Sequence, residues 1–117
     1  MDHRELAAEL FLSDCNCAQA VLEAFSDVTG LEKSFAAKLA SSFGGGMGRM
    51  REVCGAVSGM LMVAGLLYGY DDPGENDVNK KAHYQLVQNL AGQFREKIGS
   101  IICREILDNP PSDPNPT

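Results

Sequence analysis

The chain has 117 residues, enough for one hydrophobic core and too few for two sizeable domains. Hydrophobic residues make up 44% and charged residues 22%, a globular balance that excludes a mostly disordered chain. Sixteen Asp and Glu against ten Lys and Arg leave a net charge of −6, which repels a phosphate backbone, so nucleic acid is not expected as a partner.

Apolar residues recur at helical spacing, with no run of strict alternation. The expected fold class is therefore all-α, a compact bundle of about five to six helices around a buried, glycine-containing central helix. The spacing predicts a first short helix with Leu6, Ala7, Leu10 and Phe11 as its stripe. It should end at Leu12-Ser13-Asp14, because Ser and Asp favour caps and turns over helix interiors. A second helix begins near Asn16, carries Val21, Leu22 and Phe25 toward the core, and breaks at Val28-Thr29-Gly30. A third, over residues 32–43, is expected to bury Phe35, Leu39 and Phe43, each one turn from the last. Gly44-Gly45-Gly46-Met47-Gly48 cannot cheaply continue it, since each glycine costs about 1 kcal/mol against alanine, and is read as a turn or loop.

Residues 53–70 then run for 18 positions without a formal charge, the lower edge of what a membrane span needs. A single such segment with small residues in its first half fits a buried central helix, and no membrane insertion is expected. Gly55, Gly59, Gly65 and Gly69 form two GxxxG pairs, a spacing that lets neighbouring helices approach closely. Asp71-Asp72-Pro73-Gly74 is a turn by composition, and Asn76 or Asp77 is the expected cap of a helix reaching Lys97, about 30 Å long at 1.5 Å per residue. Its stripe is Leu86, Val87, Leu90, Ala91 and Phe94. Gly99-Ser100 interrupts it before a last short helix over 101–107. Residues 1–108 are expected to form a single helical domain. The tail, 109–117, holds four of the five prolines and is expected to be extended and disordered.

The chemistry lies with Cys15, Cys17, Cys54 and Cys103. The N-terminus has no basic flank followed by an apolar stretch and a small-residue cleavage site, so a cytoplasmic, reducing compartment is expected. That setting favours reactive thiols, metal ligands or packed thiols over a disulfide framework. Cys17, Cys54 and Cys103 each fall within about the first turn of a predicted helix, where unpaired N–H groups and the macrodipole favour a thiolate and a lowered pKa. The plain alternative is that each packs as a small hydrophobe. No Cys-x-x-Cys and no Cys-x-x-Cys-His occurs, which removes thioredoxin-type chemistry and leaves no heme attachment motif.

Cys15-Asn16-Cys17 is a weak metal or redox signal, because so short a spacing strains a direct disulfide. Arg49 and Arg51 lie just upstream of Cys54, where a guanidinium either stabilises a thiolate or holds an anionic substrate, solvated surface arginines being the bland reading. The glycine loop offers N–H groups to an anion, but without a following Gly-Lys-Ser/Thr it reads as a tight connection rather than a nucleotide loop. His3, at an expected frayed terminus, and His83 are isolated and are not read as ligands or bases. No nucleophile elbow for a serine hydrolase occurs.

Four segments in order carry a resemblance: Asn16-Cys17-Ala18-Gln19-Ala20-Val21, Phe43 to Gly48, Cys54-Gly55-Ala56-Val57-Ser58-Gly59, and Cys103-Arg104-Glu105-Ile106-Leu107. Together they resemble the redox-active proteins named for their C_GCAxxG_C_C pattern, over about Leu12 to Leu107. The resemblance implies a small all-helical domain, found also as part of split-Soret cytochromes, with a redox or metal role. It places shared cysteines at Cys17, Cys54 and Cys103 and the motif's small residues at Gly55, Ala56 and Gly59. Similar proteins continue into another helical segment with a further cysteine, whereas here a proline-rich tail follows Asp108.

The leading expectation is a redox-active cysteine protein, a possible thiol oxidoreductase, with Cys17, Cys54 and Cys103 as catalytic thiols. Arg49, Gly46 and Gly48 are the expected substrate-binding residues at its entrance. The alternatives are a metal or iron–sulfur module with Cys15, Cys17, Cys54 and Cys103 as ligands, and a structural helical module that forms a homodimer through its central helix. The cofactor is accordingly none, or a metal or iron–sulfur cluster, and the partner an unidentified redox partner.

Overall fold

Asn16 opens the helix around which the rest of the chain packs. Its side-chain oxygen accepts from the Gln19 amide at 2.9 Å, and Gln19 Oε1 accepts from the Asn16 amide at 3.0 Å. This capping box satisfies two donors at the helix start. The computed structural model describes residues 1–114. In chain order its helices are α1 (His3–Leu12), α2 (Cys17–Ala24), α3 (Ser26–Thr29), α4 (Lys33–Ala40), α5 (Gly55–Tyr68), α6 (Val78–Ile98) and α7 (Cys103–Ile106), with 3-10 turns at Ser41–Phe43 and Glu75–Asp77. The fold is all-α, as the spacing predicts, and an isolated antiparallel bridge pairs Val53 with Ile102. Among the described residues no helix is long and apolar enough to cross a membrane.

Helix α2 sits in the middle, against α1, α4 and α5. The core is Ala18, Leu22, Ala36, Ala40 and Val63, with Phe25, Leu31, Phe43 and Met62 packed around it. So many alanines mean that the helices meet nearly backbone to backbone. A Cβ added at Gly59 would stand 2.9 Å from the Ala18 carbonyl oxygen and 2.9 Å from Val21 Cβ. The first GxxxG pair, Gly55 and Gly59, thus seats α5 on α2. The second pair brings no helices together: a Cβ at Gly65 would meet nothing within 4 Å, and Gly69 lies just past the end of α5.

Helix α4 presents a different face from the expected one. Phe35 and Leu39 are 57% and 47% exposed and Phe43 is half-buried, while Ala36 and Ala40 are fully buried. Both pairs have i, i+4 spacing on adjoining faces, so periodicity alone does not choose between them. Size chooses: Gln19 Nε2 donates to the Ala37 carbonyl at 3.0 Å, an approach that leaves room for methyl groups and none for rings.

The expected caps of the long helix also differ. Asn76 and Asp77 adopt positive φ (55° and 60°), and neither side chain caps α6; instead the Pro73 carbonyl accepts from the amides of Asn79 (3.0 Å) and Lys80 (3.3 Å). Helix α6 buries no residue fully, its stripe being half-buried on one side. At the other end His3 is anchored rather than frayed. Its ring stacks on Phe25 with centroids 4.2 Å apart, and its Nε2 lies 2.9 Å from Asp27 Oδ1, tying α1 to α3. The His3 hydrogen bond holds the Asp27 carboxyl below its ordinary range.

Candidate functional site

The glycine loop forms a left-handed coil. Gly45, Gly46, Met47, Gly48 and Arg49 all have positive φ, and so does Arg51. Glycine adopts this region freely, whereas each L-residue there costs roughly 1–2 kcal/mol. The coil is closed by amides of Arg49, Arg51 and Glu52 donating to the carbonyls of Gly44 (3.1 Å), Gly45 (3.1 Å) and Gly46 (3.0 Å). It runs directly beneath Cys103: a Cβ on Gly46 would stand 2.8 Å from Cys103 Cβ and 2.7 Å from the Glu52 nitrogen.

Beyond the coil, residues 52–54 pair with 101–103. The Cys54 amide donates to the Ile101 carbonyl at 2.8 Å and the Cys103 amide to the Glu52 carbonyl at 2.6 Å. Arg104 reinforces the seam through Glu52 Oε1 at 2.7 Å and the Met50 carbonyl at 3.3 Å. This backbone pairing brings together Cys54, the residue before α5, and Cys103, the first residue of α7. Cys17, the first residue of α2, arrives from the other side, and its Sγ fills the space that a side chain at Gly55 would need.

All three thiols line one cavity of about 620 Å3, within the size range of small-ligand sites. Asn16, Arg49 and Arg51 supply polar wall, and Phe11, Ile106, Leu107 and Pro114 supply apolar wall; among the described residues no Asp or Glu lines it. Arg51 is only 9% exposed. Its Nη1 donates to Cys103 Sγ at 3.6 Å and its Nε to the Pro111 carbonyl at 3.1 Å. Arg49 Nε is enclosed and has no hydrogen-bond partner among the described residues.

Helix-start chemistry led us to expect lowered thiol pKa values, and Cys54 departs from this. Burial pushes its thiol up, the Ala56 and Val57 amides pull it back, and the Cys17 and Cys103 sulfurs push it up further. Desolvation of the charged form outweighs the helix start. Cys15 stands off the cavity: its Sγ donates to buried Glu23 Oε2 at 3.2 Å, and burial, then Glu23, raises its pKa.

Of the residues singled out from the sequence, Cys17, Cys54, Cys103, Arg49, Arg51, Gly48 and Gly55 meet at this cavity. Gly46 supports Cys103 from below without lining the wall, Ala56 does not line it, and Gly59 packs on Ala18 and Val21. Arg51, read from the sequence together with Arg49 as a guanidinium near Cys54, reaches Cys103 instead, a contact between distant positions that local spacing does not display. Phe11 and Pro114 carried no signal. The tail, expected to be disordered, runs from Asn109, whose amide donates to the Arg104 carbonyl at 2.7 Å, to Pro114 on the cavity wall; residues 115–117 of that segment lie outside the described residues. Among the described residues, no group of three or more His, Cys, Asp or Glu is arranged to hold a metal ion.

Residues 15–116 match the family model described as "Putative redox-active protein (C_GCAxxG_C_C)". The chain belongs to the C_GCAxxG_C_C family. Neither the curated proteins nor the solved structures offer a match to it. In this C_GCAxxG_C_C protein the central motif, Cys54 to Gly59, has a plain physical basis. The cysteine ends the paired segment, and the two glycines let α5 start against Cys17 Sγ and the α2 backbone.

Proposed function

We propose that this C_GCAxxG_C_C protein is a thiol–disulfide redox protein that works through Cys17, Cys54 and Cys103. The observation that carries the reading is the convergence of these thiols, from the starts of three helices, on one cavity. Cys103 is the attacking sulfur, because the Arg51 guanidinium donates to it and such a donor binds a sulfur anion more strongly than a neutral thiol. Its thiolate attacks a substrate disulfide, forming a mixed disulfide and releasing one substrate thiolate. Cys54, held protonated by burial, then gives up its proton and attacks the Cys103 sulfur. This closes the protein disulfide and releases the second substrate thiolate. Two electrons pass to the substrate; the Cys54 proton ends on one released thiolate, and solvent protonates the other. Cys17, beside Gly55, exchanges with that disulfide at the Cys54 sulfur, releasing the Cys103 thiolate.

The test is an intact mass spectrum of protein purified without oxygen, before and after treatment with diamide. The expected result is the loss of two hydrogens, reversed by dithiothreitol and abolished in Cys54→Ser. A wild-type protein that loses no hydrogen, a Cys54→Ser protein that still does so through Cys103, or a metal adduct held by the cysteines would overturn the reading.

A further inference from the structure

The polar groups of the cavity point to the kind of disulfide it takes. We propose that the substrate is a small disulfide bearing a carboxylate, which Arg49 binds; this rests on the thiol-exchange reading above.

The chain as a whole carries a charge of −6, yet among the described residues the cavity wall holds two arginines and no Asp or Glu. Its local charge opposes that of the molecule. Three arginines lie in this region and two are occupied: Arg104 pairs with Glu52, and Arg51 donates to Cys103 and Pro111. Arg49 has no acceptor among the described residues, and its Nε is enclosed. Enclosed donors nearly always find a partner, and Arg49 lines the cavity, so its guanidinium is the donor group of the wall still open to a ligand acceptor. The loop holds Arg49 there at φ 64°, where glycine would sit without strain.

A single planar guanidinium matches one carboxylate through two parallel N–H donors. Among the described residues no lysine lines the wall to help neutralise a doubly charged phosphate. Phe11, Ile106, Leu107 and Pro114 give the carbon chain between carboxylate and sulfur an apolar surface. With its carboxylate on Arg49, the ligand has its disulfide within the same cavity as the three thiols.

Three disulfides that share a two-carbon arm and differ in charge test this: dithiodipropionate (anionic), hydroxyethyl disulfide (neutral) and cystamine (cationic). Their reduction by the full-length reduced protein is followed by stopped flow. The expected order places dithiodipropionate first and cystamine last, against the net charge of the protein. Arg49→Gln should lower the dithiodipropionate-to-cystamine ratio about 10–100-fold, the range of one charge-assisted hydrogen bond, and Arg49→Lys should restore part of it.

Suberate, which has the same length but no sulfur, reads binding separately by amide chemical shifts. It should perturb the Gly48–Arg49 amides of wild type and lose its effect in Arg49→Gln. Reduction of all three disulfides at similar rates, or a ratio unmoved by Arg49→Gln, overturns the carboxylate proposal and leaves thiol exchange standing. Suberate binding with no disulfide reduced overturns thiol exchange and, with it, the substrate proposed here.

Discussion

Replacing Gly55 with alanine puts a methyl group where α2, α5 and the glycine coil meet. The new Cβ would fall on Cys17 Sγ and stand 2.9 Å from the Phe43 carbonyl oxygen and 3.1 Å from the Ala18 nitrogen. Two of these three neighbours are backbone, and the Phe43 carbonyl also accepts from Met47 at the start of the coil, so the strain cannot be relieved by a rotamer change. Overpacking of this kind costs about 1–3 kcal/mol, and replacing a helical glycine returns about 0.5–1 kcal/mol, leaving a net loss of about 0–2.5 kcal/mol, centred between about 1 and 2 kcal/mol. For a domain of this size that lowers Tm by about 4–8 °C. Gly65→Ala is the internal control: its Cβ meets nothing within 4 Å, so it should gain about 0.5–1 kcal/mol. Urea unfolding of the reduced proteins, with shared m-values, gives both numbers. Alkylation of Cys17, followed by peptide mass, reports the displaced sulfur. A Gly55→Ala protein as stable as wild type, beside a Gly65→Ala protein that behaves as stated, would refute close seating of α5 on α2.

Further expectations concern the thiols, the tail and α4. Because burial raises the Cys54 pKa, the unfolded chain ionises first: stability is constant below the ordinary thiol value and falls as pH rises through the raised folded value. Urea midpoints across the alkaline range should show this fall, and Cys54→Ala should reduce it to the share that Cys15 and Tyr70 contribute; an unchanged slope contradicts the burial argument. Ending the chain at Pro110 removes the Pro111 acceptor of Arg51 and the Pro114 wall, so iodoacetamide should label Cys103 several-fold faster, and an unchanged rate would show that the tail does not cover it. Phe35→Ser should change stability by no more than about 0.5 kcal/mol, whereas Ala36→Leu should cost about 1–3 kcal/mol; the reverse order in urea melts would restore the aromatic face as the buried one.

The sequence by itself determined the helical class, the break at the glycine coil and the cysteines at helix starts. Those features depend on interactions within four or five residues: apolar spacing, the Asn16–Gln19 capping pair, and the cost of consecutive glycines. Tertiary structure decided the rest. Whether α4 buries Phe35 or Ala36 depends on how near α2 comes, which spacing does not encode. Likewise the Cys54 pKa is set by how deeply its neighbours bury it, and that outweighs the helix start that the sequence displays. The cavity forms through contacts between distant residues, with Arg51 reaching Cys103 across 52 positions and Pro111 across 60. Local chemistry placed a thiol at three helix starts; packing of methyl groups and glycines brought those starts together around one cavity and left Arg49 on its wall without a partner among the described residues.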